Sequence, residues 1–113
     1  MSVPQRQFIT GAATSRSGRV AVKTTETGLP TAVSVDRAQL RRDPDELAGE
    51  ILRLCRQASA RARLARRTEL AATGVDAEIL DGLGLPTTEQ VALAEFIAEN
   101  EYDYAPRSLL GDM

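Results

Sequence analysis

The first part of the chain alternates apolar and polar residues with a period of two. Residues 18–26 and 31–36 follow this alternation, which is typical of half-buried β-strands, and residues 6–10 are a weaker strand candidate. The connection TGLP, residues 27–30, suits a hairpin and predicts antiparallel strands. We expect four valines to share the buried face of this sheet: Val20, Val22, Val33 and Val35.

A long amphipathic helix is predicted after the strands. Asp43 suits its N-cap and Pro44 its first helical position, and the helix is expected to run to about Thr73, before Gly74. Apolar residues recur at helical spacing and form a stripe that narrows along the helix. The stripe consists of Leu47, Ile51, Leu54, Ala58, Ala62 and Ala65, flanked by Ala48, Leu52 and Cys55.

Two shorter helical segments are predicted in the last part of the chain. The first is a turn of helix after Gly74, broken by Gly82 and Gly84. The second begins at Thr87, where Gln90 stands at the spacing of a capping box. The sequence therefore predicts an α+β fold, with an antiparallel sheet of two to three strands, a long amphipathic helix and shorter C-terminal helices. We expect one domain over residues 1–105 and a flexible tail over residues 106–113.

The composition removes several classes of chemistry. The chain of 113 residues has no histidine and one cysteine, Cys55, which excludes histidine acid–base catalysis, intrachain disulfides and Cys/His metal clusters. Cys55 lies on the apolar stripe and is expected to be buried. Asp76, Glu78 and Asp81 lack the ligand pattern of a calcium loop and are interpreted as acids at a helix start. We expect no enzymatic activity, no cofactor and no bound metal.

Few aromatic residues are available for a core, since the chain has two Phe, two Tyr and no Trp. A small core favours pairing with a second copy, and we expect a homodimer that uses the apolar stripe. The chain shows no signal-peptide pattern and no run of about 18 apolar residues, so a cytoplasmic protein without a membrane span is expected.

Charge is divided unevenly along the chain. Residues 1–68 hold 13 basic and 6 acidic side chains, a balance of +7, whereas residues 69–113 hold 1 basic and 10 acidic, a balance of −9; the two sum to the net charge of −2. This division indicates contact with a charged partner, or contact of one half with the other within a chain or across a dimer.

Arginines dominate the polar side of the long helix. Guanidinium groups at this density suit phosphate contacts, but the acidic half competes for them and no aromatic residue stands among them for base stacking. A solvated face, a partner for acidic segments and a nucleic-acid surface all remain open. The candidates are Arg53, Arg56, Arg61, Arg63, Arg66 and Arg67.

The order of elements resembles one family of small nucleoid-associated proteins. The segments SGRVAVKTTETG and LPTAVSVDRAQL, followed by a helix that starts at Asp43 and Pro44, are similar to the YbaB/EbfC family over about residues 7–70. The long N-terminal helix of that family is missing. This resemblance implies DNA binding through the arginine face.

A second resemblance covers about residues 7–105. The segments ELAGEILRLCRQASARA (residues 46–62) and LPTTEQVALAEFIAENEYDY (residues 85–104) are similar to the C-terminal domain of the mycobacterial ESX secretion-associated proteins EspD and EspH. It implies a non-enzymatic accessory or chaperone-like role in type VII secretion, with secreted ESX substrates as protein partners. The sheet face and the stripe on the long helix would then form a dimer or partner interface, and the docking segment would include Leu85, Val91, Phe96 and Ile97.

Overall fold

Three antiparallel strands form one sheet in the computed structural model, which describes residues 9–104. The strands are β1 (Thr10–Thr14), β2 (Val20–Thr25) and β3 (Pro30–Val35), in the spatial order β1-β2-β3. A 3₁₀ helix (Arg37–Arg41) leads into the helices α1 (Pro44–Ala72), α2 (Ala77–Gly82) and α3 (Thr88–Tyr104). The predicted α+β fold is confirmed. The predicted tail over residues 106–113 lies outside the described residues.

The first strand lies later than expected, at Thr10–Thr14 instead of residues 6–10. It has the sequence TGAAT and brings small residues against α1. A Cβ atom added at Gly11 would lie 2.0 Å from the carbonyl oxygen of Ala58, so only glycine fits this approach. The prediction misplaced this strand because its residues are small to allow the close approach of α1. The alternation of apolar and polar residues carries no information about that tertiary contact.

Helix α1 covers only part of the sheet. It packs across β1 and β2, where Val20 and Val22 are buried. On β3, Val35 is half-buried and Val33 is 48% exposed, so the expectation that Val33 is buried was wrong. Val33 pairs with Val22 and shares its face, but that face is not covered by the helix at β3.

The ends of α1 are fixed by its backbone. Asp43 occupies the predicted N-cap position, although its side chain makes no capping hydrogen bond, and Pro44 is the first helical residue. At the other end Gly74 has a φ of +100°, and the N–H of Val75 donates to the carbonyl of Leu70 (3.2 Å). This is a Schellman motif, which ends the helix one residue before the expected Thr73.

The same device ends α2. Gly84 has a φ of +78°, and the N–H of Leu85 donates to the carbonyl of Leu80 (3.2 Å). Helix α3 then begins with the predicted capping box, in which the N–H of Thr87 donates to Gln90 Oε1 (2.9 Å) and the N–H of Gln90 donates to Thr87 Oγ1 (3.1 Å). The capping-box prediction is confirmed.

A small core lies between α1 and the sheet. Its buried members are Ala13, Val20, Val22, Leu54, Cys55 and Ala58, with Val35, Leu47 and Ile51 packed against it. The expected burial of Cys55 is confirmed, since 9% of this residue is exposed. Ser59 closes the core toward the β2–β3 turn, where its hydroxyl donates to the carbonyl of Glu26 (2.9 Å).

Candidate functional site

The apolar stripe predicted as a dimer or partner interface packs mostly against the sheet of its own chain. Leu54, Ala58 and Ala62 are fully buried against the sheet or β1 of the same chain. Leu47 and Ile51 are half-buried, and Ala65 is exposed. The three fully buried residues cannot also form a surface for a second chain, because α1 and the sheet already exclude solvent from them.

Arg61 connects three elements. Its Nε donates to Glu95 Oε2 (2.6 Å) and its Nη2 to Glu95 Oε1 (2.9 Å), a bidentate pair between α1 and α3. Its Nη1 donates to the carbonyl of Ala12 on β1 (2.8 Å). The hydrogen bonds with Glu95 raise the pKa of Arg61, and those from Arg61 hold the pKa of Glu95 below its ordinary value. Arg61 therefore holds α3 against the edge of the sheet.

Arg67 makes a second link between the halves of the chain. Its Nη1 donates to Asp81 Oδ1 in α2 (2.8 Å) and to the carbonyl of Leu85 (2.7 Å). Only 14% of the Arg67 side chain is exposed. This guanidinium is therefore largely enclosed by the segment that connects α2 to α3.

Arg66 is held by two carboxylates, Glu26 at the β2–β3 turn and Glu69 in α1. It donates from Nη2 (2.6 Å) and Nε (3.0 Å) to Glu26 Oε2 at the β2–β3 turn, and from Nη1 to Glu69 (3.1 Å). The hydrogen bond to Glu26 is the main cause that raises the pKa of Arg66. Phosphate contact by Arg66 would require this carboxylate to be displaced.

The remaining predicted phosphate contacts differ from one another. Arg53 lies 3.5 Å from the buried Glu50, which also accepts a hydrogen bond from Arg42 (2.6 Å). Arg63 is half-buried and donates to the Ser59 hydroxyl (3.2 Å). Arg56 is exposed. The structure thus divides the six arginines into a carboxylate-bound group and a pair, Arg56 and Arg63, for which the described residues provide no carboxylate contact.

The expected contact between the basic and the acidic half occurs within one chain. Among the described residues, and apart from the neighbours Arg66 and Glu69 within α1, three ion pairs join them: Arg61 with Glu95, Arg67 with Asp81, and Arg16 with Glu99 at 3.9 Å. The other two acids of the 76–81 group lie at the start of α2, Asp76 at its N-cap position and Glu78 in its first turn. Among the residues that the structure describes, no group of three or more metal-ligating side chains is brought together.

The predicted docking segment has two apolar sides. Val91 is buried toward the body of the protein and Leu85 is half-buried. Phe96 is 62% exposed and Ile97 is 46% exposed, and Leu93, which is not among the predicted docking residues, is 58% exposed. Leu93, Phe96 and Ile97 stand at i, i+3 and i+4, so they share one side of α3, and this spacing was readable from the sequence. We call these three residues the outer face of α3.

Comparison of the chain with models of protein families, with curated proteins and with solved structures finds no match. Among the helices of residues 9–104, none combines the length and the apolar character needed to cross a bilayer.

Proposed function

We propose that the protein is a non-enzymatic, protein-binding accessory module, and that the outer face of α3 is its docking surface. One observation carries the proposal: α3 buries Val91 against its own chain and leaves Leu93, Phe96 and Ile97 exposed on another side. A helix that is apolar on more than one side is normally enclosed on more than one side. The second side of α3 therefore suits a partner.

The chemistry of this surface indicates what the partner presents. Three large apolar side chains in one stripe suit the apolar face of another amphipathic helix, as in helix-in-groove recognition. The exposed Glu89 lies on the same helix. A helical partner with basic residues beside its apolar stripe matches this surface in shape and charge.

The resemblance to the ESX secretion-associated proteins gives this module a context. In that context it is a chaperone-like cytoplasmic protein that holds secreted helical substrates, and it works as a homodimer. Arg61, Arg66 and Arg67 are each paired with a carboxylate of the same chain. This supports a protein-binding function, since a nucleic acid would need these guanidinium groups for its phosphates.

The experiment compares two exposed apolar residues in the full chain. Phe96→Asp places a charge on the outer face of α3, and Leu40→Asp places one on an equally exposed leucine of the 3₁₀ helix; the wild-type exposures are 62% and 66%. Both variants should fold, because neither residue belongs to the core. We expect tagged protein from native cytosol to retain secreted helical-hairpin proteins, Phe96→Asp to lose them, and Leu40→Asp to keep them. Equal retention by both variants would contradict the proposal.

DNA binding, as the YbaB/EbfC resemblance implies, is a second candidate. Arg56 and Arg63 favour it, since the structure places one in solvent and the other on a hydroxyl rather than a carboxylate. Arg56→Ala combined with Arg63→Ala should then lower duplex affinity and reduce the salt slope by roughly one unit for each phosphate that is no longer neutralised. Tight duplex binding by the wild type near 0.15 M salt that this double variant abolishes would favour the second candidate over the first.

A further inference from the structure

The two edges of the sheet differ in how their backbone is protected. Residues 11, 13 and 15 of the β1 side point their backbone groups toward β2, as the bond from Ser15 N–H to the Val20 carbonyl shows (2.8 Å). Ala12 therefore points to the outer edge of β1, where its carbonyl accepts from Arg61 Nη1 (2.8 Å). The middle of the β1 edge is capped by a guanidinium.

The β3 edge has no such cap among the described residues. Asp36, just after β3, donates its N–H to the carbonyl of Arg19, just before β2 (2.8 Å). Because backbone groups alternate in direction along an antiparallel pair, those of Val33 and Val35 point outward, away from β2. Edge strands are usually protected by charged residues, proline or bulges. In β3 the proline, Pro30, and the bulge lie at the first end, and residues 31–35 carry no charge.

A second copy of β3 can pair with the outward backbone groups of this edge in a two-fold symmetric arrangement. When β3 pairs antiparallel with β3 of a second copy about a two-fold axis at Ser34, Val33 of each copy stands opposite Val35 of the other. Their N–H and C=O groups then exchange hydrogen bonds, and the 48% exposed Val33 gains a cross-strand neighbour. The sheet becomes continuous across six strands.

Charges on α1 fit the same two-fold arrangement. The bond from Ser59 to the Glu26 carbonyl marks the side of α1 that looks toward the β2–β3 turn. Leu52 precedes Ser59 by seven residues, about two helical turns, and so lies on the same side of α1. Asp45, seven residues before Leu52, and Arg56, four residues after it, lie on that side too. Both charged residues are exposed. A two-fold axis reverses their order, so that the acidic end of one copy faces the basic middle of the other.

We propose that β3 is the self-association surface of this protein, and that its occupant is β3 of a second copy in an antiparallel, two-fold pair. The assignment rests on the proposed homodimer and moves its interface from the apolar stripe of α1 to residues 31–35. The surface is separate from the outer face of α3, so the dimer leaves the docking surface of each copy free.

Two edge variants of the full chain test the assignment by sedimentation at micromolar concentration. Val33→Lys places a charge on the β3 edge, and Thr14→Lys places one on the β1 edge at an exposed position. We expect the wild type and Thr14→Lys to sediment as dimers and Val33→Lys to sediment at half that mass.

A cross-link tests the register independently and stays informative if Val33→Lys fails to fold. At a two-fold axis the two Ser34 Cα atoms lie about 4.5 Å apart, within the range of about 4.4–6.8 Å that a disulfide spans. In a Cys55→Ala background, Ser34→Cys should form a disulfide-linked dimer under mild oxidation, and Thr14→Cys on the other edge should not. A dimer that Ser34→Cys fails to link overturns the β3 assignment and leaves the homodimer standing. A monomeric wild type overturns both.

Discussion

Helix α1 contacts the sheet and the two C-terminal helices by different means. Against the sheet it uses close contact between small and apolar groups, with Gly11 under Ala58 and with Leu54 fully buried. Against α2 and α3 it uses guanidinium groups, Arg67 on Asp81 and Arg61 on Glu95. The sheet contact depends mainly on shape, whereas the α3 contact combines the buried Val91 with a charged pair and therefore depends also on salt and pH.

The largest expected effect concerns the apolar side of α1. Leu54→Ala removes a fully buried side chain and should lower the free energy of unfolding by about 2–5 kcal/mol, through lost burial and the cavity that remains. Leu93→Ala on the outer face of α3 should change it by no more than about 0.5 kcal/mol. Urea denaturation at one fixed protein concentration measures both, and equal losses would contradict the described division between core and surface.

The contact between β1 and α1 should be nearly as sensitive. Gly11→Ala brings a methyl group against the backbone of Ala58 and should cost about 3 kcal/mol, because neither backbone can move without disturbing the sheet or the helix. Gly49→Ala is the matched control. Its Cβ meets no atom within 4 Å in a helix interior, so the variant should be more stable by about 1 kcal/mol. A stable Gly11→Ala protein, measured in the same urea titration, would show that α1 approaches β1 less closely.

The charged contact should respond more weakly and more locally. Arg61→Ala removes the bidentate pair with Glu95 and should weaken the docking of α3 by about 1 kcal/mol, since the pair is partly exposed. Amide hydrogen exchange in α3 should then be roughly fivefold faster, while β2 keeps its protection. The exposed Arg56→Ala is the control and should leave both regions unchanged. Equal loss of protection in β2 would mean that α3 and the sheet unfold together.

Acid should produce the smallest effect. Hydrogen bonds from Arg61 lower the pKa of Glu95 from its ordinary value near 4.5, so ionised Glu95 favours the docked helix above that pH. The contribution is lost as the pH falls from the ordinary value through the lowered pKa, because over that range the carboxyl binds a proton more readily when α3 is undocked than when it is docked. We expect the protection factors of the α3 amides, which compare the measured exchange with the intrinsic rate at each pH, to fall below about pH 4.5 in the wild type. Glu95→Gln should show a smaller pH dependence there, and an identical dependence would assign the effect to another carboxyl.

Features with local signals were predictable from the sequence. The start of α1 at Pro44, its end before Gly74 and the Thr87–Gln90 capping box each depend on residues within a few positions of one another. The strand alternation likewise predicted β2 and β3 to within two residues at each end. Local rules were sufficient where the local chain decides the conformation.

Features set by distant contacts were not predictable in detail. The alternation placed Val33 on the correct face of the sheet but could not show that α1 stops short of β3. The charge division indicated contact between the halves, yet the partners Arg61 and Glu95 are 34 residues apart and only the fold selects them. The β1 edge and its capping by Arg61 depend on the same tertiary arrangement.

The capping box at Thr87 affects how a partner meets α3. Because Thr87 and Gln90 bond each other, the first turn of α3 is fixed by its own residues and not only by docking onto α1. A partner at Leu93 and Phe96 therefore meets a helix that is already ordered. Complex formation then costs little additional conformational entropy in α3. A complex with this preformed α3 should differ from a complex whose binding helix must first be ordered. The difference should lie in slower dissociation rather than in faster association.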